Sequence, residues 1–183
     1  MIYHLPPTED AIDQGDVIDD CPIPYIEIYD LAHPEKMVIV GSPMRVIVLT
    51  QTCDLANLKT TSAMVAVLHE AQELVREGIL KQADIKGPVR GGRIWSWYFL
   101  PKNETLGLPE MIVDLRQLHT VRMDLLNNLV AQGRRRARVQ PLYREHLARH
   151  FAETYARIGL PEPYPTDDIP VKTAPSSPAP GNA

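Results

Sequence analysis

In the stretch Thr50-Gln51-Thr52-Cys53-Asp54, a hydroxyl, an amide, a second hydroxyl, a thiol and a carboxylate follow one another at the end of an apolar run. Such a set can bind a phosphate or a base edge. It can equally close a structural turn, because Asp and Thr side chains hydrogen-bond nearby backbone. Cys53 needs a base to become a nucleophile, and His69, just after the next apolar run, could supply one. A free buried cysteine is the plainer reading. His69 and Glu70 offer a base and an acid, and Arg45 or Arg93 a phosphate ligand, the groups that RNA cleavage without a metal requires. Read plainly, His69 and Glu70 start a helix and the arginines are surface charges. Arg134, Arg135, Arg136 and Arg138 suit phosphate binding, or else pairing with carboxylates elsewhere in the chain. Trp95, Trp97 and Tyr98 could stack bases. Trp95 and Trp97 share one face of a strand, however, and fit a core or an interface. None of Cys21, Cys53, His69 and His119 has paired-ligand spacing, so neither a metal nor a cofactor is expected.

The elements that must position these groups are mostly strands. Val46 to Leu49 is an unbroken β-branched and aliphatic run, suited to a strand covered on both faces. Val17-Ile18, Tyr25 to Tyr29, Met37 to Val40, Met64 to Leu68, Ile94 to Leu100 and Met111 to Leu115 (extendable to Val121) also read as strands. Cys21-Pro22-Ile23-Pro24 interrupts that pattern, since each proline removes a ladder donor. Gly41-Ser42-Pro43 reads as a turn. From His69 the period becomes helical and Gly78 ends a first helix. Gly87-Pro88 and Gly91-Gly92 bound a flexible loop that carries Arg90 and Arg93. Met123 to Val130 is helical, and a second helix follows Pro141. There Tyr143, Leu147, Phe151, Tyr155 and Ile158 form one apolar stripe, and Glu145, Arg149, Glu153 and Arg157 form a charged ladder. Gly159 and Pro161 end it.

This order predicts a mainly β, α+β chain: a small, strongly bent β-barrel with a helical insertion and C-terminal helices. The expected divisions are an N-terminal arm over 1–13, a barrel over 14–121 with its insertion at about 69–86, a helical extension over 122–160, and a disordered tail over 161–183. The 183 residues suit one domain with additions. Two cysteines give no disulfide framework, and no apolar run is long enough to cross a bilayer. The first residues lack a basic-then-apolar signal pattern, so a cytoplasmic setting is expected. The net charge of −4 is uneven. Residues 9–35 carry Glu9, Asp10, Asp13, Asp16, Asp19, Asp20, Glu27, Asp30 and Glu35 without a Lys or Arg. Residues 116–157 are rich in arginine. That asymmetry reads either as a nucleic-acid face or as two halves that neutralise each other in the fold.

Three segments carry a resemblance. Gln14-Gly15-Asp16-Val17-Ile18 resembles the opening strand of the MazF/PemK-like toxins, and Arg45-Val46-Ile47-Val48-Leu49-Thr50 resembles their next strand. Val113-Asp114-Leu115-Arg116-Gln117-Leu118-His119-Thr120-Val121 resembles their closing strand. The chain is also similar to uncharacterised bacterial proteins with a Gln-Thr-Cys-Asp-Leu motif, a Tyr-Phe-Leu-Pro strand and a Tyr-Arg-Glu-His-Leu helix. The toxin resemblance implies an SH3-like barrel, a homodimer, an antitoxin or other protein partner, and sequence-specific RNA endonuclease activity. Under it, aligning Leu49 with the family's leucine puts Met44, not Arg45, at the catalytic arginine. A one-residue offset turns a strand side chain to the opposite face. The expected function is therefore a nucleic-acid-interacting module, acting on RNA or DNA in a toxin–antitoxin or defence system. The alternative is a non-catalytic barrel that docks a protein.

Overall fold

The apolar run around Val46 lies at the middle of one antiparallel sheet in the computed structural model, which describes residues 2–57 and 60–156. The strands are β1 (Tyr3–His4), β2 (Asp16–Ile28), β3 (Val38–Val48), β4 (Ser62–Glu70), β5 (Trp97–Leu100), β6 (Met111–Arg122) and β7 (Arg135–Val139). Their spatial order is β1-β7-β2-β3-β4-β6-β5. The helices are α1 (Thr52–Ala56), α2 (Ala71–Arg76), α3 (Gln82–Asp84), α4 (Met123–Ala131) and α5 (Pro141–Tyr155), with a π-helical turn over Ile85–Val89. The predicted mainly β, α+β class is what the chain adopts. The seven-stranded sheet curls without closing into a hydrogen-bonded barrel. Its two edges meet through a side chain instead, where the buried Tyr3 hydroxyl of β1 donates to the Pro101 carbonyl just beyond β5 at 2.9 Å. The predicted tail at 161–183, and with it Arg157, Ile158, Gly159 and Pro161, lies outside the described residues.

Alternation along the strands divides the core in two. Val17, Ile47, Leu49, Ala66, Leu68, Val113, Leu115, Ala137 and Val139 face the concave side, where Leu147 of α5 packs among them. Ile18, Val46, Val48, Val65 and Val67 face the convex side, under Leu126, Leu129 and Val130 of α4. A third cluster joins Ala71 and Leu74 of α2 and Ile85 and Val89 of the π-helical turn to Trp97 and Ile112.

Several segments differ from the sequence expectation, each for a physical reason. Residues before Asp13 are not a loose polar arm: β1 pairs with β7, and Tyr3 is fully buried. The expected helical extension over 122–160 is not all helix: Arg135 and Arg136 begin β7. Their charge hid the strand's period, because the inward positions are filled by Arg135, Ala137 and Val139. His69 and Glu70 end β4 rather than start a helix.

The prolines do not break β2, nor does Gly41-Ser42-Pro43 break β3. Pro22 lies opposite Pro43 and Pro24 opposite Gly41 in a long two-stranded hairpin. Two directly opposed prolines cannot form a hydrogen-bonded pair, so their nitrogens face outward. Beyond Ile18, β2 has no second neighbour, and β3 pairs with β4 only over Val46–Val48, so no donor is missed there. The distal part of this hairpin leaves Tyr25, Ile26, Ile28, Tyr29, Val38 and Ile39 exposed.

The acidic front half meets the arginine-rich back half inside the fold. Asp16 is fully buried at the start of β2. Arg138 donates to it through Nε at 2.6 Å and Nη2 at 2.9 Å, and Arg135 through Nη1 at 3.2 Å. Arg135 also donates to the carbonyls of Pro7, Thr8, Asp10 and Ala11, fixing the N-terminal wrap. Asp13 takes Arg144 of α5 at 2.6 Å, and Asp20 takes Arg134 at 2.8 Å. Breaking a buried pair leaves an uncompensated charge, whereas an exposed pair contributes little. Arg135→Ala should therefore cost roughly 3–5 kcal/mol in urea unfolding. Arg134→Ala, whose partner is half exposed, should cost about 1 kcal/mol or less.

Candidate functional site

The polar groups picked out from the sequence fall into three places. The first is the end of β3. Thr50 is structural there, its hydroxyl accepting the Met64 backbone N–H at 2.7 Å. Thr52 hydrogen-bonds the Asp13 carboxylate. Cys53 is exposed rather than buried, and its thiol faces the Gln51 amide at 3.6 Å and the Asp54 carboxylate at 3.9 Å. His69, the base expected for it, is not among these partners of Cys53. The buried cysteine is Cys21, whose thiol burial pushes up to about 11.

The second place surrounds Arg45, His69 and Glu70. All three line a shallow pocket of about 290 Å³ together with Asp19, Asp20, Met44 and Glu73. A bulge between Ile18 and Cys21, with Asp20 at φ +58°, turns Asp19 toward Arg45. Arg45 Nε donates to Asp19 at 2.5 Å, and Arg136 approaches the same carboxylate at 3.5 Å. Glu70 lies 3.8 Å from Arg45. His69 has different partners, because neighbouring residues on a strand point to opposite faces. Its ring packs edge-on against Trp97, with centroids 6.4 Å apart, and Nε2 lies 3.9 Å from the buried Asp114 carboxylate. Arg45 and His69 share a pocket rim but no side-chain partner. The rim carries Asp19, Asp20, Glu70 and Glu73 against Arg45, a balance that repels a phosphodiester.

The group around His69 was not singled out from sequence. Between Ala66↔Leu118 and Val67↔Asp114 the β4–β6 register jumps, so β6 bulges over Leu115–Gln117. That bulge folds Arg116 back onto Asp114 through Nε and Nη2, both at 2.9 Å, and stacks its guanidinium 4.2 Å over the Trp97 ring. Gln117 Nε2 donates to Asp114 at 3.0 Å and lies 3.2 Å from His69 Nε2. Burial alone would raise the Asp114 carboxyl; hydrogen bonds from Arg116 and Gln117 outweigh it and hold the group below the usual carboxylate range. Burial lowers the His69 imidazole below its ordinary value, with Asp114 pulling the other way. His69 is thus a neutral ring at pH 7, able to accept a proton.

The third place is a pocket of about 510 Å³ between β5, α5 and the insertion, which continues past its expected end near residue 86 as far as β5. Arg90, Gly91 and Gly92 form one wall, Trp95, Tyr98 and Phe99 the floor, and His146, Arg149, His150 and Glu153 the far side. The wall is built by the wide π-helical turn, a geometry frequent at functional sites. Arg90 N–H donates to Ile85 O at 3.2 Å and Arg93 N–H to Pro88 O at 2.9 Å, and Gly92 takes the left-handed φ of +66° that favours glycine. Trp97 is core, as one sequence reading held, but Trp95 is 44 % exposed. Its indole stacks on the His150 ring at 5.8 Å and 27°. Burial pushes the Tyr98 hydroxyl up to about 12, and that hydroxyl lies 3.0 Å from His146 Nδ1. His146 and His150 were missed from sequence. Their spacing of four on a helix, ahead of the Thr154 that also turns inward, was the available signal.

Charge accounting separates these places. Among the described residues, Arg134, Arg135, Arg136 and Arg138 all pair with carboxylates. The described basic residues without an ion pair are Lys36, Lys81, Lys86, Arg90 and Arg93, and all but Lys36 fall within residues 81–93. The described residues include no cluster of three or more His, Cys, Asp or Glu placed to hold a metal ion, and no helix long and apolar enough to cross a membrane. No family model matches the chain, and no curated protein matches it.

His69 gives a pH dependence whose sign follows from its lowered value. The folded state resists the proton, so its contribution is present above the ordinary histidine value of 6.5 and is lost as pH falls below it. Asp13 and Asp114 are held low and titrate beneath that window. The melting temperature should fall between pH 7 and 5, and His69→Gln should flatten that slope. An unchanged slope would assign the loss to another group.

Proposed function

We propose that this chain is a nucleic-acid-interacting module that holds single-stranded RNA along residues 81–93. The observation that carries the reading is where free positive charge lies. The arginine run at 134–138 is paired with carboxylates of the same fold, whereas Lys81, Lys86, Arg90 and Arg93 are exposed and without an ion pair, and Arg90 lines a pocket with an exposed indole. Exposed cations bind the phosphate backbone by releasing counterions, and aromatic faces take bases without regard to sequence.

The MazF/PemK-like resemblance adds the biological setting, a bacterial toxin–antitoxin or defence system, and relates the curled sheet to an SH3-like barrel. The proposed activity is binding. For RNA cleavage, His69 is suited to accept a proton, but the acidic rim around Arg45 and Glu70 opposes a bound phosphate there. Labelled single-stranded RNA, titrated by fluorescence anisotropy at several salt concentrations, tests the proposal. The double variant Arg90→Ala/Arg93→Ala should weaken binding severalfold and shallow the salt slope by about two charges. Arg134→Ala should change the affinity little. Equal losses in both variants would sink the assignment.

A second reading rests on the hairpin. Tyr25, Ile26, Ile28 and Ile39 are each at least half exposed, an apolar surface that soluble monomers seldom present. Here the chain docks a protein, a second copy or an antitoxin-like partner, through the hairpin's side-chain faces. Pro22, Pro24 and Pro43 disfavour strand addition at its base. Light scattering after size-exclusion chromatography tests the copy directly. A dimer converted to monomer by Ile26→Glu/Ile39→Glu supports it, and a monomer at all concentrations removes self-association.

A further inference from the structure

The pocket between the insertion and α5 has a feature that backbone binding leaves unexplained. His150 is only 4 % exposed, and its Nε2 has no hydrogen-bond partner. Leaving a buried polar atom unpaired costs roughly 1–3 kcal/mol, and natural folds tolerate that mainly where something else supplies the partner. The histidine lines the 510 Å³ pocket, whose size falls within the range of about 300–1,000 Å³ usual for small-molecule sites. Around it the lining sorts by chemistry. Trp95 and Tyr98 present aromatic surface, and both rings lie against His150. At the mouth, Arg149 Nε donates to Glu153 at 2.7 Å, so one donor group and one acceptor group face the opening together. Arg90 stands on the opposite wall without an ion pair.

We infer that this pocket is a subsite for one nucleotide unit, its base against Trp95 with an edge hydrogen-bonded to His150 Nε2, and its phosphate on Arg90. The inference rests on the nucleic-acid reading and sharpens it. A flat aromatic ligand uses the indole, an edge with donors and acceptors uses His150 and the Arg149–Glu153 pair, and an anion uses Arg90. A bare phosphate would leave the indole and His150 unused, and an apolar ligand would leave both arginines unused. Insertion of one base would also fix the strand's register across the cations of residues 81–93. Those cations by themselves hold a strand at any register.

The test uses the full chain and the four ribonucleoside 5′-monophosphates, with ribose 5-phosphate and inorganic phosphate as controls. Trp95 and Trp97 are the chain's two tryptophans, and Trp97 is buried. Nucleotide binding should therefore quench intrinsic fluorescence through Trp95, saturably, and Trp95→Phe should abolish the signal. His150→Phe keeps a ring in the stack and removes the nitrogen, and it should weaken the preferred nucleotide about tenfold. Should that variant fold poorly, Arg90→Ala on the exposed loop should weaken nucleotide binding severalfold with the melting temperature unchanged. Quenching by a nucleotide, absent with ribose 5-phosphate and reduced in either variant, supports the subsite. Equal binding of inorganic phosphate and nucleotides would overturn the base contact. Nucleotide affinity unaffected by both variants would place the ligand elsewhere. RNA binding through residues 81–93 without any mononucleotide binding would overturn the subsite and leave the nucleic-acid reading standing. Loss of both would end both.

Discussion

A buried carboxylate holds this fold together. Asp16 opens β2 with no exposure to solvent, and an isolated charge there would be strongly unfavourable. Arg138 meets it side-on with two bonds and Arg135 with a third. Because Arg135 also gathers four carbonyls of the N-terminal wrap, one ionic centre joins the chain start, β2 and β7. The centre is a requirement more than a source of stability, since burying two ions offsets most of their attraction. It does lie at the junction of three strands: Asp16 and Arg138 are opposed across the β2–β7 pair, and Arg138 is also opposed by His4 of β1.

The same pairing decides what the surface can do. An arginine engaged with a carboxylate of its own fold has little field left for a phosphate. The run at 134–138 looks like a nucleic-acid face in the sequence and is largely an internal counter-charge in the structure. Neutralisation of one half by the other was one of two readings open from composition, and the pairs that Asp13, Asp16, Asp19 and Asp20 make with Arg144, Arg138, Arg135, Arg136 and Arg134 follow it. Among the described residues the cations left without an ion pair, Lys36 apart, lie in a short insertion whose charge composition does not stand out, because its four cations are diluted by Gly, Pro and Asp84.

Local pattern was a good guide where burial set it and a poor one where charge or proline intruded. Val46–Leu49 and Met64–Leu68 were legible as strands because uninterrupted apolar residues leave few alternatives, and Met111–Leu115 because Asp114 alone interrupts it. β7 was not, since its inward position 135 holds an arginine whose partner is 119 residues away in sequence. The β2–β3 hairpin was read as four pieces because prolines usually end strands. They are allowed here only by the lack of a second neighbour, a property of the sheet and not of the segment. The candidate sites show the same limit. His69 and Glu70 looked like one acid–base unit from adjacency, yet strand geometry gives them opposite faces. Asp114, Arg116 and Gln117 were visible as a strand motif, while their meeting with His69 depends on a bulge that no local signal announces.

The bulge in β6 and the π-helical turn before β5 are two answers to one constraint. β5 is the outer strand of the curled sheet, and its side beyond β6 has no further strand to pair with. The chain covers that side with the insertion and α5, and the insertion is π-helical where it faces α5. A regular helix in place of Ile85–Val89 would draw Arg90 and the Gly91-Gly92 backbone in toward the axis and reduce the gap to α5. A regular β6 would carry Arg116 along the strand, away from Asp114 and Trp97. Both departures thus occur where an open sheet edge has to be covered by something other than a strand. The cover leaves polar side chains, His69 on one side and His150 on the other, at half-enclosed boundaries between core and water. Such boundaries strengthen hydrogen bonds by excluding solvent while still admitting a ligand. The candidate chemistry of this chain therefore gathers at the unclosed side of the sheet, for the reason that the sheet does not close.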